Sequence, residues 1–221
     1  YMHGFINDAQ GRKMSKSTGN YILPEEVLEK YGADALRYYT ISGTNPGEDL
    51  RYNFDDMKVK FGNLNVLWNL HKLLISSYEL YDIDPRVEVE KDIEERYMNS
   101  MLHSTIKRAS DKYEKYFLTE APEVVEELFL ELSRNYVKMT REKLSLGSDE
   151  DKEKVLSTVY NVLLESLKMF APVAPYITEG IYQELRKAFE LEKESIHLYD
   201  WPSYDEELID EELEQDFRII E

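Results

Sequence analysis

The sequence predicts a mainly α protein, a helical bundle preceded by a small α/β segment. Three observations predict it. From Asp55 onward, apolar residues recur every three or four positions over long windows, the period of helices that bury one face. The residues before Asp55 lack that period: a short apolar run, a glycine-bounded loop and two short helical patterns follow one another. Hydrophobic content of 42% supports a real core, while 33% charged residues describe a strongly hydrated surface. The expected organisation is 1–54, 55–202 and an acidic tail 203–221.

The apolar run "YMHGFI" (1–6) reads as a strand, and 7–20 reads as a loop. "LPEEVLEKYG" opens a helix, with Pro24 at its start, Glu25 and Glu26 in its first turn and Gly32 as its stop. "ADALRYYTISG" reads as a second helical stretch ending at Gly43, and 44–53 is rich in turn residues. In the bundle, Phe61, Leu64, Leu67, Trp68, Leu70 and Leu74 mark a helix over 55–81, with Trp68 placed in the core. Tyr97, Met101, Leu102 and Ile106 mark another over 90–116. Val125, Leu128, Phe129, Leu132 and Tyr136 mark a third over 120–145, closed by Gly147. Ser148 followed by Asp151 resembles a capping box for a helix over 149–170. Pro172 and Pro175 break the pattern, and "YITEGIYQELRKAFEL" resumes it. "SIHLYDWP" reads as a short strand or extended segment with Trp201 as a packing anchor, and the tail reads as a helix.

Composition excludes several function classes. With no cysteine, disulfides and thiolate metal sites are ruled out and a reducing interior is permitted; a cytoplasmic setting is expected. His3, His71, His103 and His197 are scattered without metal-ligand spacing, so no metal site is predicted. No apolar run reaches the ~20 residues of a membrane helix, and no signal peptide is visible. Position 1 is not Met, and the chain is expected to start inside a longer protein. The net charge is −18, yet residues 1–60 hold 8 basic and 9 acidic residues, so the deficit lies almost wholly in the bundle and tail. Nucleic-acid binders normally offer a basic face, because neutralised phosphates supply much of the affinity. Any such role here has to rest on a local patch.

The loop supplies the chemistry. "GRKMSKSTGN" sets Lys13 and Lys16 three apart between Gly11 and Gly19, with Ser15 and Ser17 interleaved. Lysines on flexible stems, hydroxyls and a backbone free to approach closely suit a phosphate that moves during reaction. Two such lysines can gather the β- and γ-phosphates of a nucleotide and stabilise the charge of departing pyrophosphate. A solvated basic loop fits the spacing equally well. The Walker A pattern does not, since its glycines and lysine come in another order.

"KMSKS" (Lys13-Met14-Ser15-Lys16-Ser17) is identical to the second signature of class I aminoacyl-tRNA synthetases. The continuation "TGNYILPEEVLEKYGADALRYY" resembles the corresponding run of the isoleucine, valine and leucine subgroup, with Thr18 where an aliphatic residue is usual. "APVAPYITEGIYQEL" and "SIHLYDWP" resemble segments of that subgroup's anticodon domain. The resemblance implies the end of a class I catalytic domain followed by an α-helical anticodon-binding bundle. By it, Lys13, Met14, Ser15, Lys16 and Ser17 would bind ATP, Lys13 and Lys16 as catalytic residues on its phosphates, with Mg2+ accompanying the nucleotide. Met14 would lie near the adenine, and Gly19 and Asn20 would shape the loop's exit. The first signature of the family, H-I-G-H, is not in the chain, so a carboxy-terminal fragment, inactive alone, is expected. Its partners would be the missing catalytic and editing parts and the anticodon stem-loop of tRNA(Ile), with a monomer as the expected state. Valine and then leucine are the alternative amino acids, and a non-catalytic helical module retaining the signature is the alternative class.

Within 120–145, Arg134, Lys138 and Arg141 are spaced four and three apart, which on a continuous helix is one face; Asn135 flanks them. Cations beside amides and aromatics suit an unstacked RNA loop. Relatives in the subgroup usually carry Trp where Asn135 stands. Lys107, Arg108, Lys112 and Lys115 form a second basic cluster. For both clusters the plainer reading is a solvated helix face laced with ion pairs.

Overall fold

The computed structural model describes residues 4–219; the first three residues of the strand expected at 1–6, with His3 among them, lie outside it. Helices dominate, as expected. The N-terminal segment holds a two-residue strand β1 (Ile6–Asn7), a helix α1 (Pro24–Ser42) and a second short strand β2 (Leu50–Arg51). The strands pair in parallel, Ile6 opposite Leu50 and Asn7 opposite Arg51. Parallel pairing needs a long crossover, and α1 provides it. Gly32, read as a helix stop, is where α1 breaks: its φ of +79° and ψ of 168° are non-helical, and a new helical stretch begins beyond it. Val27 on one side of the break and Ala35, Tyr38 and Tyr39 on the other are buried.

The bundle starts with α2 (Phe54–Tyr81), whose N-cap Asn53 accepts a bond from the N–H of Asp55 at 2.9 Å. It continues with α3 (Ile93–Glu114) and α4 (Glu120–Glu131). The helix expected over 120–145 is not continuous. After α4 a π-helical turn occupies Leu132–Tyr136, a three-residue α5 (Val137–Met139) follows, Thr140 leaves the helical region, and α6 (Arg141–Leu146) ends before Gly147. The inserted residue shifts the apolar phase by one position, and the short helices that follow are too brief for spacing to show it.

Ser148 and Asp151 form the reciprocal capping box at the start of α7 (Asp149–Phe170). Beyond its first turn this helix is buried almost all round, with Val155, Leu156, Val159, Val162, Leu163, Leu167 and Phe170 in the core and Ser157, Thr158 and Ser166 buried beside them. Its position explains that: it packs against α2, α3, α4, α6 and α8 (Pro175–Phe189) and so runs through the middle of the core. "SIHLYDWP" forms a 3-10 turn at Ile196–Leu198 and then runs extended, rather than pairing as a strand. Trp201 does anchor it, donating from Nε1 to Ser110 Oγ at 2.7 Å and meeting Tyr113 edge-on. The acidic tail folds into α9 (Glu211–Ile219), which packs on α3.

Trp68 departs from expectation. It is 39% exposed and meets His71 edge-on. The side chain beneath it in the core is His71, which is fully buried.

Candidate functional site

The lysine-serine loop is built on a hairpin. Asp8 N donates to Arg12 O at 2.8 Å, Gly11 N to Asp8 O at 2.8 Å, and Asn7 bridges Lys13 antiparallel. Gly11 takes φ +78°, which a tight reversal requires and a residue with a Cβ resists. Asp8, at the base, is buried and committed on both oxygens. Its Oδ1 accepts from the N–H groups of Gln10 and Arg12, and its Oδ2 from Arg12 Nε and Asn20 Nδ2. The Asn20 amide, and after it Arg12, hold the Asp8 carboxyl down at about 2.

Asn20 closes the loop from its far end. Its Nδ2 donates to Asp8 Oδ2 at 3.0 Å and to Lys13 O at 3.2 Å. Its Oδ1 accepts from Ser15 N at 3.0 Å and Thr18 Oγ1 at 2.6 Å. Ser15 Oγ lies 2.9 Å from Ser17 Oγ and 3.0 Å from Thr18 Oγ1. The loop's hydroxyls thus brace one another. Its ammonium groups do not join in: Lys13 and Lys16 are exposed and, among the described residues, neither makes an ion pair. Lys13 Nζ rests 4.2 Å from the ring centre of Phe5. Beside it lies an apolar hollow of about 440 Å³ walled by Phe5, Met14, Tyr21 and Ile22. Met14 is half-buried against the core.

In the bundle, the π turn lines a groove of about 910 Å³ with Tyr97 of α3 and Phe217 of α9. Arg134, Asn135 and Lys138, all singled out in the sequence, are brought together there with Met139. Arg141 is not. The break at Thr140 puts it at the start of α6, so the single face expected of a continuous helix does not form. Glu131 organises the groove: its Oε1 accepts from Tyr97 OH and its Oε2 from Asn135 Nδ2, each at 2.8 Å. Tyr136 faces away, fully buried, and donates to Glu95 Oε1 at 3.0 Å. Tyr97 and Phe217 stack with ring centres 4.2 Å apart and planes 8° from parallel.

The second basic cluster is spent internally. Lys107 pairs with Glu206, Arg108 with Glu127, Lys112 with Glu120 and Lys115 with Asp111. Sequence reasoning missed Asp8, Glu131, Tyr97 and Phe217 as builders of these two sites. An acid opening a short hairpin was the only signal for Asp8, and nothing local marks the other three.

A βαβ unit carrying a paired-lysine loop, joined to a helical bundle with a groove lined by cations and aromatics, fits the anticodon-binding class of tRNA ligase domain. Residues 95–221 match the family described as the anticodon-binding domain of tRNA ligase, and residues 1–53 match tRNA synthetases class I (I, L, M and V). The chain belongs to the anticodon-binding domain family of tRNA ligases, joined to the class I synthetase segment that precedes it. Among curated proteins it is similar to isoleucine–tRNA ligase of Pyrococcus horikoshii, with 40% identity over 99% of this chain and 21% of that protein. Isoleucine–tRNA ligases of Methanothrix thermoacetophila and Methanopyrus kandleri follow, at 38% and 35% identity, each over 99% of this chain. The chain therefore spans about a fifth of the length of the curated relatives it matches. Among solved structures, a ternary complex of the LeuRS of Agrobacterium radiobacter K84 shares the fold, with TM-score 0.72 and 19% identity over 95% of this chain and 24% of that one.

Proposed function

We propose that the chain is the part of an isoleucine–tRNA ligase that closes on ATP and holds the anticodon of tRNA(Ile). The full enzyme would activate isoleucine with ATP, release pyrophosphate and pass the amino acid to tRNA. In this reading residues 1–54 end the catalytic domain, 55–202 form the anticodon-binding domain and 203–221 lead into a further part. The observation that supports it most is the division of labour in the signature loop. The Ser15, Ser17 and Thr18 hydroxyls and the Asn20 amide are bonded within the loop and to Asp8, while among the described residues neither ammonium group makes an ion pair.

Lys13 and Lys16 act on the β- and γ-phosphates. Charges placed on a loop that moves in with the departing pyrophosphate bind the transition state more strongly than the ground state, which raises rate and not merely affinity. Met14 and the hollow beside Lys13 offer an apolar surface to adenine, and Ser15 and Ser17 brace the loop. Mg2+ would accompany ATP as part of the substrate, because Asp8, the buried carboxylate at the loop's base, is fully engaged by Asn20 and Arg12. In the groove, Arg134 and Lys138 neutralise phosphates, Asn135 meets a base edge and Arg141 holds RNA just outside. The enzyme works as a cytoplasmic monomer, and this fragment is inactive alone.

The test is amino-acid-dependent ATP–pyrophosphate exchange by the full-length protein. Isoleucine is expected to support exchange far better than valine or leucine. Exchange with none of the three, or a preference for valine, contradicts the reading.

A further inference from the structure

The joint between the N-terminal segment and the bundle is made in an unusual way. Helix α8 has no cap of its own: Ala174 at its N-cap supplies no side-chain bond, and Pro175 opens the first turn. The N–H of Ile177 donates instead to Asp34 Oδ2 at 2.6 Å, from a partner 143 residues away. In the turn that leaves α7, the carbonyls of Pro172 and Val173 accept from Arg37 Nη2 and Nε, both at 3.1 Å. A helix start is short of acceptors and a helix end is short of donors. Asp34 and Arg37, three apart on one face of α1, supply both from outside the bundle.

The same helix carries the signature loop at its other end. Pro24 opens α1 shortly after Asn20, with Val27 buried and Met14 and Ile22 packed against the same core. Gly32 breaks α1 between these two attachments, and a Cβ there would meet nothing within 4 Å. Glycine is thus required by the backbone conformation and not by crowding. The arrangement is kept at a cost. Among the described residues Asp34 Oδ1 is buried without a hydrogen-bond partner, and burial pushes the Asp34 carboxyl up. An apolar side chain would pack there without that cost.

We propose that Asp34 and Arg37 are positioning residues that fix the bundle, and the tRNA held on it, relative to the lysine-serine loop. The proposal rests on the function argued above. Adenylate formation uses the loop and the nucleotide side of the enzyme and does not cross this joint. Transfer to tRNA does cross it, because the bundle grips one end of the tRNA while the other end must reach the activated amino acid.

The experiment uses the full-length enzyme with Asp34→Ala, Arg37→Ala and Arg37→Lys. Exchange without tRNA is expected to stay within about twofold of wild type. Turnover in tRNA charging is expected to fall about tenfold or more for the alanine variants, with KM for tRNA changed little. Arg37→Lys, which keeps the charge and can serve one of the two carbonyls, is expected to fall between them and keeps the test open if an alanine variant does not fold. Charging and exchange lost in parallel, or charging unchanged in all soluble variants, overturns the proposal. A wild-type enzyme without isoleucine-dependent exchange would instead remove the functional reading on which it rests.

Discussion

The hydrogen bonds around Asn20 fix the base of the loop while its two lysines stay exposed. The Asn20 amide joins Asp8, Lys13, Ser15 and Thr18 through four bonds. Asn20→Ala is expected to lower exchange by the full enzyme at least tenfold, since four lost bonds at about 1 kcal/mol each exceed the ~1.4 kcal/mol of a tenfold change. Asn20→Asp is expected to be worse, because it sets a second carboxylate against Asp8. Asp8 itself reports on the staple. Its folded value is depressed, so it contributes stability above the unfolded value near 3.8 that is lost as pH falls toward about 2. A carboxyl titration by NMR should show Asp8 moving back toward 3.8 in Asn20→Ala. His71 gives a second pH signal. Burial holds it down at about 4, against 6.5 for a free imidazole, so acidification through that interval favours the unfolded chain. Urea unfolding at pH 7 and pH 5 should show part of that loss, at most about 2 kcal/mol, and His71→Leu should flatten it. The two lysines, the serines and Asn20 were legible in the sequence because one short motif carries them all. Asp8 was not, since its partnership with Asn20 exists only once the hairpin forms. The exchange of roles between Trp68 and His71 was hidden too, because both lie on the apolar stripe of α2 and spacing does not say which is nearer the middle.

The elements that the sequence disclosed most fully are those whose ends carry chemistry. Ser148 with Asp151 starts α7, Gly147 ends the preceding segment, and Gly32 interrupts α1. Two substitutions compare such ends. Ser148→Ala removes the cap on the Asp151 N–H and is expected to destabilise the chain by about 1 kcal/mol. Gly32→Ala is expected to cost about 1–2 kcal/mol although its Cβ would meet open space, because an L residue resists the left-handed backbone. Thermal melts of the two variants give the comparison; an unshifted Gly32→Ala melt would mean that the break at Gly32 is not held by the surrounding structure. The π turn was illegible, and with it the true arrangement of Arg134, Lys138 and Arg141. Its side chains are held by partners that spacing does not show: Tyr136 by the buried Glu95 of α3 and Asn135 by Glu131 one turn earlier. The pairing of Ile6 with Leu50 was equally hidden, since two-residue strands leave no periodic pattern.

For the whole molecule, the charge distribution decides how it meets RNA. A net charge of −18 repels nucleic acid everywhere except where cations are not consumed by neighbouring carboxylates. Among the described residues, Lys138 and Arg141 make no ion pair, whereas all four members of the 107–115 cluster do. The 221-residue chain alone is therefore expected to bind an anticodon stem-loop more weakly than micromolar at physiological salt. In the full enzyme, Lys138→Ala should reduce the salt slope of tRNA binding by ~0.7, the single-strand value per phosphate contact, and Lys115→Ala should leave it unchanged. Composition alone argued against RNA, and the pairing pattern removes the conflict by showing where positive charge remains available. The same logic singles out the lysines of the signature loop, which make no ion pair among the described residues. The most direct measurement is isoleucine-dependent ATP–pyrophosphate exchange by the full-length enzyme carrying Lys16→Ala. A fall in turnover of ~10²-fold or more, with KM for isoleucine little changed, is the predicted result for loss of a charge that stabilises the departing pyrophosphate. A turnover equal to wild type would contradict it.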